Sequence, residues 1–172
     1  EQRCATMDDS KYFDRFMRDY LTIKTGQIPN KGQVYESFKR YWVTVKDTPI
    51  EKLMDDVIRF SKYYANLIFA NFESPDVSKI AKNINTLKVE VVYPFLLEVL
   101  EDYKNQVISK SELIEIMKLA ESYVFRRAVC DVPTSSLNKT FANLTKEIDK
   151  DDYLTSLKAS FINKKTYKRF PN

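Results

Sequence analysis

Residues 109–130, SKSELIEIMKLAESYVFRRAVC, read as one long helix. Ser109 and Glu112 stand at the spacing of a capping box, in which each side chain can satisfy a backbone N–H that the helix start leaves open. At about 100° per residue, Leu113, Ile116, Met117, Ala120, Tyr123 and Val124 fall on one face. Arg127 falls in the middle of that face, Arg126 at its flank, and Phe125 nearly opposite with Lys118 and Val129. A helix with apolar groups on two sides is either central in a bundle or sandwiched between its own domain and another.

The same helical period recurs on both sides of this stretch. Asp9 or Ser10 can cap a first helix carrying Tyr12, Phe13, Phe16, Met17 and Tyr20, ended by Gly26. A second runs from about Gly32 with Val34, Phe38, Tyr41, Trp42 and Val45. Thr48-Pro49-Ile50-Glu51 joins a capping box to a proline at the first helical position and opens a third, with Leu53, Met54, Val57, Phe60, Tyr64, Leu67 and Ile68 on a broad stripe. Ser74-Pro75 starts a fourth in the same way. Residues 87–103 are almost wholly apolar and read as a buried helix begun or kinked at Pro94, since a lone strand would have no partner. Beyond Pro133, Thr134 or Ser135 caps a seventh helix carrying Leu137, Phe141, Leu144 and Ile148. Asp151 or Asp152 caps an eighth with Tyr153, Leu154, Leu157 and Phe161. The expectation is an all-α bundle of roughly eight helices with short loops. Residues 1–163 form a helical domain, and the acid-free segment 164–172, with Lys164, Lys165, Lys168 and Arg169, is a basic linker toward a further domain.

Composition agrees. The chain of 172 residues has 2 Gly and 6 Pro, too few turn residues for a sheet of many hairpins. Aromatic residues make up 13%, enough bulk for a core and too much for a disordered chain. With no histidine, His-based triads, HNH nuclease sites and H-E-x-x-H zinc sites are excluded. Cys4 and Cys130 lie far apart in no metal or disulfide pattern, so a reduced, cytoplasmic setting is expected. No apolar run is long enough for a membrane span and no leader pattern is present. The net charge of +4 permits nucleic-acid contact without requiring it. No metal, cofactor or catalytic motif is expected: Asp55 and Asp56 are adjacent on a helix and do not share a face, and there is no Gly-rich phosphate loop.

Arginine on a core-facing stripe must be paired. Arg127 can pair with a carboxylate such as Glu90, Glu98 or Asp102, or with carbonyls at a helix end. Alternatively Arg126, Arg127, Asn138 and Lys139 gather around the start of the seventh helix as an anion or interdomain site, because a helix N-terminus offers open N–H groups to a phosphate. Structural ion pairs outnumber binding sites, which favours the first reading.

Residues 121–149, ESYVFRRAVCDVPTSSLNKTFANLTKEID, resemble the helical region of the GmrSD-like, modification-dependent (type IV) restriction endonuclease family. The pattern is SYxxRR, a small turn with Pro-Thr, then SLNK and an aromatic. It is met by Ser122, Tyr123, Arg126, Arg127, Pro133, Thr134, Ser136, Leu137, Asn138, Lys139 and Phe141. Residues 13–41, residues 91–103 (VVYPFLLEVLEDY) and the ending KRFPN are also similar. The resemblance implies a ParB-like N-terminal domain with a D-G-Q-Q-R type motif, this helical region, and a histidine-based HNH nuclease domain. This chain has neither D-G-Q-Q-R nor histidine, so it corresponds to the middle piece. Its beginning at Glu1 also suggests a piece of something longer. The resemblance implies a non-catalytic connecting domain in phage defence. Its partners would be the flanking domains of the same polypeptide, with DNA phosphates as candidate contacts and no membrane. The alternative is a helical interaction or scaffold module without DNA contact.

Overall fold

The computed structural model describes residues 8–131 and 137–163. It is all-α: eight α-helices and no strand among the described residues. The helices are α1 (Asp8–Thr25), α2 (Val34–Thr44), α3 (Ile50–Phe69), α4 (Pro75–Thr86), α5 (Tyr93–Lys104), α6 (Lys110–Val129), α7 (Leu137–Asn143) and α8 (Tyr153–Ile162). Short 3-10 turns stand at Lys31–Gln33, Glu90–Val92, Leu144–Glu147 and Lys150–Asp152.

Several starts follow the sequence signals. Glu112 N–H donates to Ser109 Oγ at 3.3 Å and Ser109 N–H to Glu112 Oε2 at 2.8 Å, completing the capping box of α6. Pro94 lies in the first turn of α5, so this proline begins a helix rather than kinking one. Other signals shift. α1 already includes Asp8, Asp9 and Ser10, so Asp9 and Ser10 are helical residues rather than caps. Pro49 stands just before α3, where its carbonyl accepts from Leu53 N–H at 3.2 Å. The seventh helix is shorter than expected. It stops at Asn143 and tightens into the 3-10 turn that carries Leu144, and Ile148 is extended. Its expected caps, Thr134 and Ser135, lie outside the described residues, as do Cys4 and the basic segment 164–172.

The chain forms two compact units, residues 1–61 and 62–172, with the division inside α3. In the first, α1 packs on α2 and buries Phe16, Met17, Tyr20 and Leu21. Asp56 ties the start of α3 to α1: it accepts from the Tyr20 hydroxyl at 2.7 Å, pairs with Lys24 at 2.7 Å and pairs with Arg59. Phe60 meets Tyr20 edge-on at 5.8 Å, and Lys24 Nζ sits 4.4 Å from the Phe60 ring centre.

In the second unit α5 is the central element. Tyr93, Pro94, Phe95, Leu96, Leu97, Val99 and Leu100 are all buried, as its near-continuous apolar run demands. It packs against α6 and α7, while α4 packs on α6 and α8 covers α6 from another side. Asn85 closes the end of α3: its amide donates to the carbonyls of Leu67 and Ile68 at 2.9 Å each, and its oxygen accepts from the Tyr93 hydroxyl at 2.7 Å. These bonds satisfy carbonyls that a helix end leaves open.

Glycine scarcity shows at the helix ends. Gly26, after α1, takes the left-handed conformation (φ 70°), but Ala70, Lys88, Gln106 and Asp131 take it after α3, α4, α5 and α6. At Ala70 and Gln106 the paired bonds of a Schellman end are complete, Asn71 N–H to Asn66 O with Ala70 N–H to Leu67 O, and Val107 N–H to Asp102 O with Gln106 N–H to Tyr103 O.

Candidate functional site

The end of α6 has two dissimilar sides. Tyr123 and Arg127, one turn apart, point into the core; Arg127 is 1% exposed. Tyr123 stacks on Phe161 of α8 at 4.3 Å and 17°, and meets Phe141 of α7 edge-on at 5.9 Å. Phe141 in turn lies 6.0 Å from Phe95 of α5. One tyrosine therefore holds α6, α7 and α8 around a shared aromatic core. Burial pushes the Tyr123 phenol up, opposed by the charge and hydrogen bond of Arg127 and by a hydrogen bond with Thr140. Arg127 also lies over the Tyr123 ring, 5.5 Å from its centre. A guanidinium suits this place because its plane can stack while its edge donates.

On the opposite side Phe125 is 52% and Val129 68% exposed, one turn apart, with Arg126 and Cys130 also exposed. The helical wheel placed these residues correctly: Arg127 inside, Arg126 at the flank, Phe125 and Val129 outward. On α7, Leu137, Thr140 and Phe141 are buried, Asn138 is half-buried and Lys139 is exposed. Arg127 is thus interior, whereas Arg126 and Lys139 lie on the surface. Pro133 to Ser136, which would join them, lie outside the described residues.

Two of the carboxylates considered for Arg127 have other partners. Asp102, 5% exposed, pairs with Lys150 at 2.5 Å and accepts from the Tyr153 hydroxyl at 3.3 Å. Glu98, one turn earlier on α5, accepts from the Thr145 hydroxyl. Burial pushes Glu98 up; the Thr145 bond opposes this, Asp102 adds to it, and Lys150 and Lys146 oppose it. Burial and the neighbouring Asp102 charge hold the Tyr153 phenol well above its usual range. This polar network escaped the sequence reading. Its signal was present as Glu98 and Asp102 at i and i+4 on a largely apolar helix, where they share a face and must both find donors. The Asp56 hub is equally hidden in the sequence, because Asp55 and Asp56 are chemically alike neighbours. Asp55 is exposed, while Asp56 faces α1.

Among the described residues no group of three or more acidic, cysteine or histidine side chains is placed to hold a metal ion. No helix among them is long and apolar enough to cross a membrane. No family model, curated protein or solved structure matches the chain.

Proposed function

We propose that this chain is the non-catalytic helical connecting domain of a GmrSD-like, modification-dependent DNA restriction protein, acting in the cytoplasm in phage defence. It would position a nucleotide-using domain and a nuclease domain that flank it, with contacts to DNA phosphates. The observation that carries the reading is the two-sided end of α6. Tyr123 and Arg127 are locked into the core of their own unit, while Phe125 and Val129 face outward one turn apart beside Arg126. An apolar pair turned to solvent at the end of a central helix suits a neighbouring domain that covers it. The exposed Arg126 and Lys139 supply charge suited to a phosphate backbone.

A module that binds only protein is the second reading, favoured by the same exposed Phe125 and Val129. A DNA-binding titration across salt concentrations separates the two. Phosphate contacts give an affinity that falls steeply as salt rises, and Arg126→Ala with Lys139→Ala lowers the slope of log K against log salt by about 2. Absence of binding even at low salt leaves the protein-only module.

A further inference from the structure

The outward side of α6 carries a helix–helix seam whose two halves are complementary in charge. Starting at Ser111, the outward positions recur in steps of four and three: Glu115, Lys118, Ser122, Phe125 and Val129. That spacing is the one by which two helices pack side by side. Ser122 is half-buried and the others are exposed, although α4, α5 and α8 pack on the rest of α6. We infer that the neighbour over Phe125 and Val129 is the same helix of a second copy of this chain, laid antiparallel about a two-fold axis beside Ala120. This assignment rests on the reading of the pair as covered by a neighbouring domain, and it names that domain.

Ala120 lies at the middle of α6 (Lys110–Val129), so the two helices overlap along their whole length. Positions equally distant from Ala120 then meet. Val129 reaches Ser111 of the partner, and the small Ser122 leaves room for Lys118 of the partner. The two-fold axis also brings each flank of the seam against the same flank of the second copy. On one flank, base precedes acid: Lys118 meets Glu121 of the partner, and Phe125 meets its half-buried Ile114. On the other, acid precedes base: Glu115 meets Arg126 of the partner, whose five donors can serve more than one acceptor. Each contact joins opposite charges and occurs twice by symmetry. A parallel pairing would set Glu115 against Glu115 and Lys118 against Lys118, so charge selects the antiparallel arrangement. One helix pair makes a small interface, so the dimer is weak and sensitive to salt.

Sedimentation equilibrium of the full chain from about 5 to about 500 µM tests this. The parent should pass from monomer to dimer, and added salt should shift the midpoint to higher concentration. Lys118→Glu creates two like-charge contacts and should weaken the dimer about tenfold or more, whereas Lys118→Glu combined with Glu121→Lys should restore the parental midpoint. Cys130 is exposed and follows the end of the helix. Spin labels placed on it in a Cys4→Ser protein should lie about 30 Å apart or more in the antiparallel dimer, against roughly 10 Å in a parallel one. A chain that stays monomeric throughout, a Lys118→Glu variant with the parental midpoint, a charge swap that fails to restore it, or labels in the shorter range would each overturn the pairing. Should Lys118→Glu not fold, the label distance still decides. A monomer whose DNA affinity falls with salt overturns the pairing and leaves the connecting-domain reading intact; a dimer that binds no DNA at low salt upholds the pairing and removes the phosphate contacts.

Discussion

Arg127 holds its guanidinium 5.5 Å from the centre of the Tyr123 ring, one turn back on the same helix, and both side chains are buried. The two form a single packing unit. Tyr123 spends its faces and edge on Phe161, Phe141 and Arg127. Arg126 differs from Arg127 by one residue and about 100° of rotation, and that rotation carries it from the core to the surface. Two adjacent arginines of identical chemistry thus serve unlike purposes.

Substitution should separate them sharply. Arg127→Ala is expected to destabilise the second unit by about 3–5 kcal/mol, because it removes a large buried side chain that packs on the Tyr123 ring and hydrogen-bonds its hydroxyl. Arg127→Lys should recover little of the loss, since an ammonium has neither the plane nor the fork. Arg126→Ala should leave stability within about 0.5 kcal/mol of the parent. Urea unfolding followed by far-ultraviolet circular dichroism measures all three; equal losses at the two positions would contradict the assignment.

In the first unit, Tyr20→Phe removes one of the donors to Asp56 while leaving Lys24 and Arg59 in place. A hydrogen bond to a charged acceptor contributes about 1.5–3 kcal/mol, and the remaining partners cushion the loss, so about 1–2 kcal/mol is expected. Asp56→Ala should cost more, because it leaves Tyr20 and Lys24 without their shared acceptor. The single tryptophan, Trp42, lies in α2 of this unit, so its fluorescence reports the transition.

Helix type was legible in the sequence wherever the apolar period ran long, but the buried face was not always: Tyr12, Phe13 and Met54 keep the spacing of their stripes and are exposed. The wheel of α6 sorted Phe125, Arg126 and Arg127 correctly, and the Ser109–Glu112 box marked a true start. What escaped were relations between distant segments. Nothing local to Asp102 says that Lys150 and Tyr153, about fifty positions on, will meet it. The boundary inside α3 was equally hidden, because the periodic stripe of that helix continues unbroken past residue 61. The early end of α7 was missed because Leu144 and Ile148 keep helical spacing while their backbone leaves the helix.

Low glycine content supported a helical reading, yet it left four helix ends to residues that dislike positive φ. The left-handed conformation costs an L-residue roughly 1 kcal/mol that glycine does not incur. Ala70→Gly and Gln106→Gly should therefore each stabilise the protein by about 0.5–1 kcal/mol, since both sit at complete Schellman ends and lose no bond on substitution. Thermal unfolding checks this, and a lowered midpoint for either variant would show that its side chain has a packing role outweighing the backbone cost.

The two titrating glutamates near α5 and α6 should act in opposite directions. Glu98 has its pKa raised, chiefly by burial, so its contribution to stability is full below its unfolded value and is lost as pH rises through the folded one. Glu112 has its pKa lowered, first by the Ser109 backbone N–H and then by the Ser109 hydroxyl, so its contribution is full above its unfolded value and is lost as pH falls through the folded one. Acidification below the usual carboxylate range should therefore open the start of α6, seen as faster exchange of the Ser109 and Glu112 amides, whose acceptors belong to the box. Ser109→Ala removes the cap at any pH and should cost about 1 kcal/mol. Glu112→Gln should flatten the response below the usual carboxylate range while leaving the one above it, which belongs to Glu98, unchanged. Measuring both variants across the same pH range distinguishes the two groups, because a single substitution that erased both limbs would mean that one titration controls them.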